Sequence, residues 1–193
     1  MIFKSIDKST IDDVVVVHKM AYLNGHFTSD FDDSLLRAYY EALIVPSSVD
    51  YSFIAYVNNN PIGLVLCGTD LNEQVKKFVE HNKFRLSGLI LKNPKYILPK
   101  IKAIFSRFSK KQGKWESSAK FRLLSIAVSS EYQGKGYGKN LLMELEKRII
   151  NKNQNIYGLS VKNENKKAIT FYQSLGFRLE KKESKTSYYI KDV

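Results

Sequence analysis

Residues 121–150 read FRLLSIAVSSEYQGKGYGKNLLMELEKRII. The stretch opens on an apolar run with the character of a buried strand. It closes on a run whose Leu141, Leu142, Leu145 and Ile149 share one helical face. Between them, at 132–140, lies YQGKGYGKN, with glycines at alternate positions 134, 136 and 138. The order is therefore strand, glycine-rich turn, helix. Glycine lacks Cβ, so a ligand can approach this backbone closely. Successive N–H groups and the helix N-terminus then form an anion nest, and Lys135 and Lys139 add positive charge. Two other phosphate-binding patterns fail. The dinucleotide fingerprint requires G-x-G-x-x-G, and the P-loop requires G-x-x-x-x-G-K-[ST]; here the spacing is G-x-G-x-G and Asn140 follows Gly138-Lys139. A phosphate nest and a plain tight turn both fit the spacing.

Working outward, residues 2–6 alternate as a strand, and 10–22 read as a helix with Thr10 as N-cap and Asp12 and Asp13 in its first turn. Asn24-Gly25 is its stop. Asp32 or Asp33 caps a second helix to about Leu43, ended by Pro46. YSFIAYV (51–57) and IGLVLCG (62–68), joined by Asn58-Asn59-Asn60-Pro61, read as a hairpin. Downstream, IYGLSV (156–161) is a strand, and Asn163 or Asn165 caps a helix that Gly176 stops. FRLEKKE (177–183) and TSYYIKD (186–192) form a last antiparallel pair. Strands and helices interleave, which implies a mixed sheet covered on both faces.

Residues 71–114 interrupt this rhythm. Val75, Phe78, Val79, Leu86, Leu89 and Ile90, then Ile97, Ile101, Ile104, Phe105 and Phe108, recur at roughly helical spacing, broken by Pro94 and Pro99. Two or three helices with one cationic face are expected. The segment holds twelve Lys or Arg against two Glu, so it carries +10 of the net charge of +12. That balance suits a polyanionic partner: a nucleotide, nucleic acid or an anionic membrane surface. It equally suits the solvated face of packed helices. No zinc-finger, RRM or KH signature supports nucleic acid.

The length of 193 residues, 44% hydrophobic, fits one domain over 1–193. No run approaches the roughly 20 apolar residues of a membrane span. The N-terminus MIFKSIDKSTIDD carries early acids and no small-residue cleavage site, so a signal peptide is not expected. Cys67 stands alone in an apolar run, so no internal disulfide or cysteine metal cluster forms, and a cytoplasmic setting follows.

Asn165 and Tyr172 are seven residues apart on the helix after 162, nearly on one face two turns apart, with Ala168 leaving room between them. An amide and a phenol can thus address one extended ligand. At this point the sequence resembles the GNAT family of acetyl-CoA-dependent N-acyltransferases. The family loop [Q/R]-x-x-G-x-[G/A] is matched by Gln133-Gly134-Lys135-Gly136-Tyr137-Gly138. A second pattern is matched by Val161, Asn165, Ala168, Phe171, Tyr172, Gly176 and Phe177 with every spacing kept. The match is firm over 121–178 and holds in outline before it.

The resemblance implies a central mixed, mostly antiparallel sheet flanked by helices, with 71–114 as a helical insert. It implies that the N–H groups of Gln133 to Gly138 hold the pyrophosphate of acetyl-CoA. The backbone near Ile126 and Val128 pairs with the pantetheine arm, Asn165 contacts that arm, and Tyr172 protonates the departing thiolate. The reaction is direct attack by an amine, with no metal and no acyl-enzyme. Many relatives carry a glutamate base on the strand before the loop; residues 121–128 hold neither acid nor histidine. His26 and Glu41 are the alternatives, and His18 and His81 are weaker ones. Residues 21–27, with His26 and Phe27, form one wall of the acceptor site. The expected acceptor is the primary amine of a small molecule, a nucleotide-linked amino sugar among the candidates. A protein or peptide amine, or a non-catalytic acyl-CoA binder, is the alternative.

Overall fold

The alternation at 51–68 folds as a hairpin. Asn58 and Asn59, at φ 50 and 62, make its two-residue turn. Asparagine tolerates the left-handed backbone that such a turn demands. The structure is a computed structural model that describes residues 1–22, 26, 28–92 and 115–193. In chain order its elements are β1 (Ile2–Ser5), α1 (Ile11–Ala21), α2 (Asp33–Leu43), β2 (Phe53–Val57), β3 (Asn60–Gly68), α3 (Leu71–His81) and α4 (Lys83–Lys92). Then come β4 (Arg122–Val128), a 3₁₀ turn (Ser130–Tyr132), α5 (Tyr137–Asn151), β5 (Ile156–Lys162), α6 (Lys166–Ser174), β6 (Arg178–Lys182) and β7 (Thr186–Asp192). The Asn24-Gly25 stop, Phe27, and the part of the insert over 93–114 lie outside the described residues. The first two helices expected of the insert are α3 and α4.

The helix starts follow from side chains. Asp32 caps α2, its carboxylate accepting from the Leu35 N–H at 2.8 Å. Asn165 caps α6 through the Ala168 N–H at 3.1 Å. Thr10 holds the N-cap position of α1 but does not cap it. Its hydroxyl instead donates to the Ser5 carbonyl at 3.0 Å and accepts from the Asp7 N–H at 3.0 Å, tying α1 to the end of β1.

Among the described residues all strands join one seven-stranded sheet of order β1-β2-β3-β4-β5-β7-β6. Every neighbouring pair is antiparallel except β4 with β5. The last hairpin is as expected, but β7 inserts between β5 and β6, so β6 forms the edge. Two apolar layers cover the sheet. Ile54, Tyr56, Leu64 and Leu66 face a core with α1, α2 and α3. Phe53, Ala55, Val65 and Cys67 face a second core with Leu141, Leu142, Leu145 and Ile149 of α5. Ile62 breaks the period of two. Ala55 pairs with Gly63 and Tyr56 with Pro61, so Ile62 is the extra residue of a bulge and turns toward the α5 side.

Candidate active site

The site begins where the two parallel strands separate. β4 pairs with β3 from Arg122 to Val128, but with β5 only at Arg122–Gly158 and Leu123–Leu159. Arg122 braces this junction. Its guanidinium donates to the Leu159 carbonyl at 2.6 Å, the Ser117 hydroxyl at 2.7 Å and the Ala119 carbonyl at 3.3 Å. The side chain crosses Gly158, where any Cβ would stand 2.8 Å from the guanidinium. Glu180 holds the other side, accepting from the hydroxyls of Ser117 and Ser118 at 2.6 and 2.7 Å.

Beyond Leu123 the strands part and open a cavity of about 710 Å³. One side is Leu123–Ile126 of β4, Ser160–Lys162 of β5, and the face of α6 that carries Asn165, Ala168 and Tyr172. The facing wall is Tyr22, His26, Tyr39, Tyr40 and the first turn of α3, including Asp70 and Glu73. The helical-face reading thus brings Asn165 and Tyr172 to one opening with Ile126 and His26. Burial, and then the Tyr22 phenol, push the Tyr172 hydroxyl above its ordinary pKa, so it stays protonated across the physiological range.

The glycine loop lines a second cavity of about 290 Å³, together with Val128, Tyr132, Gln133, Lys139 and Phe171. Gly134 and Gly136 lie at φ +76 and +83, and a Cβ at either would meet nothing within 4 Å. Backbone conformation, not crowding, calls for glycine at both. Gly138 differs: its Cβ would stand 3.3 Å from the Phe171 ring, so glycine there lets α5 approach α6. Gln133 turns back and donates its amide to the Val128 carbonyl at 2.9 Å, which fixes the loop to the end of β4. Gly136 is the N-cap of α5 with no side-chain cap, and the first turn carries no acid. Lys135 lies 5.5 Å over the Tyr132 ring, and Tyr137 packs edge-on against that ring at 5.8 Å. A helix N-terminus without a capping side chain, beside cations and a concavity, is the chemistry of an anion site.

Four side chains form a hydrogen-bonded chain. The Tyr40 hydroxyl meets His18 Nδ1 at 2.8 Å; His18 Nε2 meets the Thr28 hydroxyl at 2.8 Å; that hydroxyl meets His26 Nδ1 at 2.7 Å. The His26 ring stacks on Tyr22 at 4.2 Å, and the Tyr22 hydroxyl pairs with Ser125 of β4 at 2.7 Å. His18 is only 1% exposed. Burial, and then the neighbouring His26, lower its pKa to about 4, so it is neutral. Sequence pattern ranks His18 below His26 and Glu41. Its pattern is nonetheless there: Val14, His18 and Tyr22 recur every four residues along the apolar side of α1 and its C-cap. His81 is exposed on α3, and Cys67 is fully buried, with its thiol pushed up by burial.

Among solved structures, an acetyltransferase from Thermus thermophilus superposes with TM-score 0.64 at 14% identity, covering 100% of this chain and 98% of that one. The PaiA N-acetyltransferase from Thermoplasma acidophilum, in complex with coenzyme A, gives 0.61 at 14% identity, with 100% and 98% covered. The ribosomal-protein-S18-alanine N-acetyltransferase from Escherichia coli gives 0.61 at 13% identity, with 100% and 93% covered. These likenesses show the fold. No curated protein sequence matches the chain. The family model described as the Acetyltransferase (GNAT) family matches residues 17–177. The chain belongs to the GNAT acetyltransferase family.

Proposed function

We propose, from that membership, that the protein transfers the acetyl group of acetyl-CoA to a primary amine of a small molecule by direct attack. One observation supports this most. A single strand edge, Leu123–Val128, borders both the splayed cavity and the glycine loop, with Tyr172 facing the first. An extended ligand with an anionic middle and a reactive end fits that layout. The loop N–H groups from Gln133 to Gly138 hold the pyrophosphate, with Lys135 and Lys139 adding charge. The pantetheine arm lies along Ile126 and Val128 beside Asn165, and the thioester reaches Tyr172.

In the transfer, the amine nitrogen lone pair attacks the thioester carbonyl carbon. The C–S bond breaks, the thiolate takes the Tyr172 proton, and the amine nitrogen loses one proton to a base. Tyr172 recovers its proton from solvent. Cys67 is sealed in the core and takes no part. A peptide amine is the second reading, favoured by the fold shared with an enzyme whose name records a ribosomal-protein alanine as acceptor.

Calorimetry with acetyl-CoA, then thiol release with polyamines, amino acids, peptides and nucleotide-linked amino sugars, tests the reading. Absence of acetyl-CoA binding sinks it; binding without turnover on any amine leaves a non-catalytic binder. Tyr172→Phe should lower kcat by about 10²-fold or more with donor KM within about twofold. An unchanged rate would make Tyr172 a packing residue only.

A further inference from the structure

Helix α4 is apolar on two opposite sides. Leu86 is 1% exposed, and Leu89 packs against the core shared by α1, α2 and α3. At about 100° per residue, Phe84 and Leu91 share the far side of the helix. They are 81% and 83% exposed, whereas the next most exposed large apolar side chain among the described residues, Ile2, stands at 58%. Gly88 lies between them on the same stripe, and a Cβ there would meet nothing within 4 Å. The stripe Phe84–Gly88–Leu91 is therefore open along about 10 Å of helix. A helix that only covers a core carries polar residues on its outer face, and exposed phenylalanine and leucine on one stripe mark a contact surface.

We propose that this face of α4 docks on the surface of an anionic lipid bilayer. The proposal is independent of the acyl-transfer reading, since none of these residues lines either cavity.

Charge selects the occupant. From His81 to Trp115 the sequence holds ten Lys or Arg and no acid. Lys83 borders the stripe, with its ammonium 5.3 Å from the centre of the Phe84 ring. Arg85, on the flank, is tied to Asp32. On α3, Lys76 and Lys77 pair with Glu80 and Glu73 of the same helix. The attraction for an anion thus belongs to the acid-free run that begins at α4. A second copy laid on the stripe would bring its own cations against this run. Residues 93–114, with seven Lys or Arg and no acid, would add like charge in the same way. Nucleic acid would satisfy the cations but not the stripe, because Leu91 offers neither a hydrogen bond nor a stacking ring. An anionic bilayer matches both features at once. Headgroup phosphates attract the lysines, and Phe84 and Leu91 enter the apolar boundary beneath them. At 10 residues α4 is too short to cross a bilayer and suits a helix lying in the interface plane.

The full chain is mixed with vesicles of phosphatidylcholine containing about one-third phosphatidylglycerol, and separately with phosphatidylcholine alone, and bound protein is measured by flotation. We expect binding to the anionic vesicles only, weakened at least about tenfold in about 0.5 M salt. The double variant Phe84→Gln with Leu91→Gln should bind them at least about tenfold more weakly with Tm unchanged. In Phe84→Trp, tryptophan emission should shift to the blue on anionic vesicles and be quenched by bromine-labelled acyl chains, beyond any response of Trp115 in the parent. Several results would overturn the proposal. They are no binding of the parent to anionic vesicles, equal binding of parent and double variant, and a Phe84→Trp emission that stays that of a residue in water on bound protein. A clear fall in Tm of the double variant would show that the chain itself covers the stripe. Self-association of the parent that the double variant loses would put a second copy there. Binding of single-stranded RNA that the same substitutions weaken would make nucleic acid the partner instead of lipid.

Discussion

At Gly136 two demands meet on one residue. The backbone stands at φ +83, where a side chain is strained, while the space a Cβ would fill is open. Asparagine accepts such a backbone better than valine does, since the left-handed region costs ordinary residues about 1–2 kcal/mol. The two substitutions therefore separate fold from ligand. Gly136→Val should lower stability by about 1–2 kcal/mol, a fall in Tm of roughly 2–8 °C for a chain of this size. Gly136→Asn should leave Tm nearly unchanged. If acetyl-CoA phosphates come close to this backbone, both should bind it at least tenfold more weakly. Full affinity in a folded Gly136→Asn chain would mean that no ligand group enters the space above the loop.

At the scale of elements, the decisive feature is a parallel pair that pairs twice and then opens. Arg122 holds that junction through Leu159 and Ser117, with Gly158 giving it passage. Arg122→Met would take from the Leu159 carbonyl its guanidinium donor in a half-buried place, while the Ser117 hydroxyl keeps the Ala119 N–H. Stability should fall by about 1–3 kcal/mol in urea unfolding. Acetyl-CoA affinity should fall as well, because the width of the opening depends on this brace. Stability lost with affinity intact would show the brace to be purely structural. Arg122 also marks the boundary of what the sequence makes legible. Periodicity places Asn165, Ala168 and Tyr172 on one face of α6, since a helical face depends only on spacing. The loop between β4 and α5 is legible for the same local reason. The insertion of β7 beside β5 and the bond from Arg122 to Leu159 depend on partners distant in the chain, and the bulge at Ile62 depends on the register of the hairpin. The His18–Thr28–His26 chain is half legible: the spacing of Val14 and His18 turns His18 inward on α1, but no pattern announces that it meets Thr28 and His26 of the following loop.

For the whole molecule, the buried histidine makes stability depend on pH. His18 ordinarily titrates at 6.5 and in the fold at about 4. The folded pKa is depressed, so between these values the unfolded chain binds a proton that the folded chain refuses. Stability is then full above pH 6.5, falls as pH drops, and levels off below 4. The total is about 3 kcal/mol, of which about 2 kcal/mol is lost by pH 5. The lowered carboxylates Asp7, Asp32 and Glu180 act lower, as pH falls through their folded pKa values from ordinary ones of 3.8 to 4.5. The window from pH 7.5 to 5 therefore isolates histidine. Growing positive charge on a chain already at +12 also weakens the compact state as pH falls, but it does so with or without His18. The informative quantity is a difference: the pH dependence of urea unfolding in the parent minus that in His18→Gln. His18→Gln should be less stable at pH 7.5, because the Tyr40 and Thr28 hydroxyls lose geometry they share with the ring. Between pH 7.5 and 5 it should lose about 2 kcal/mol less than the parent. Equal slopes would mean that His18 is charged or solvated in the fold.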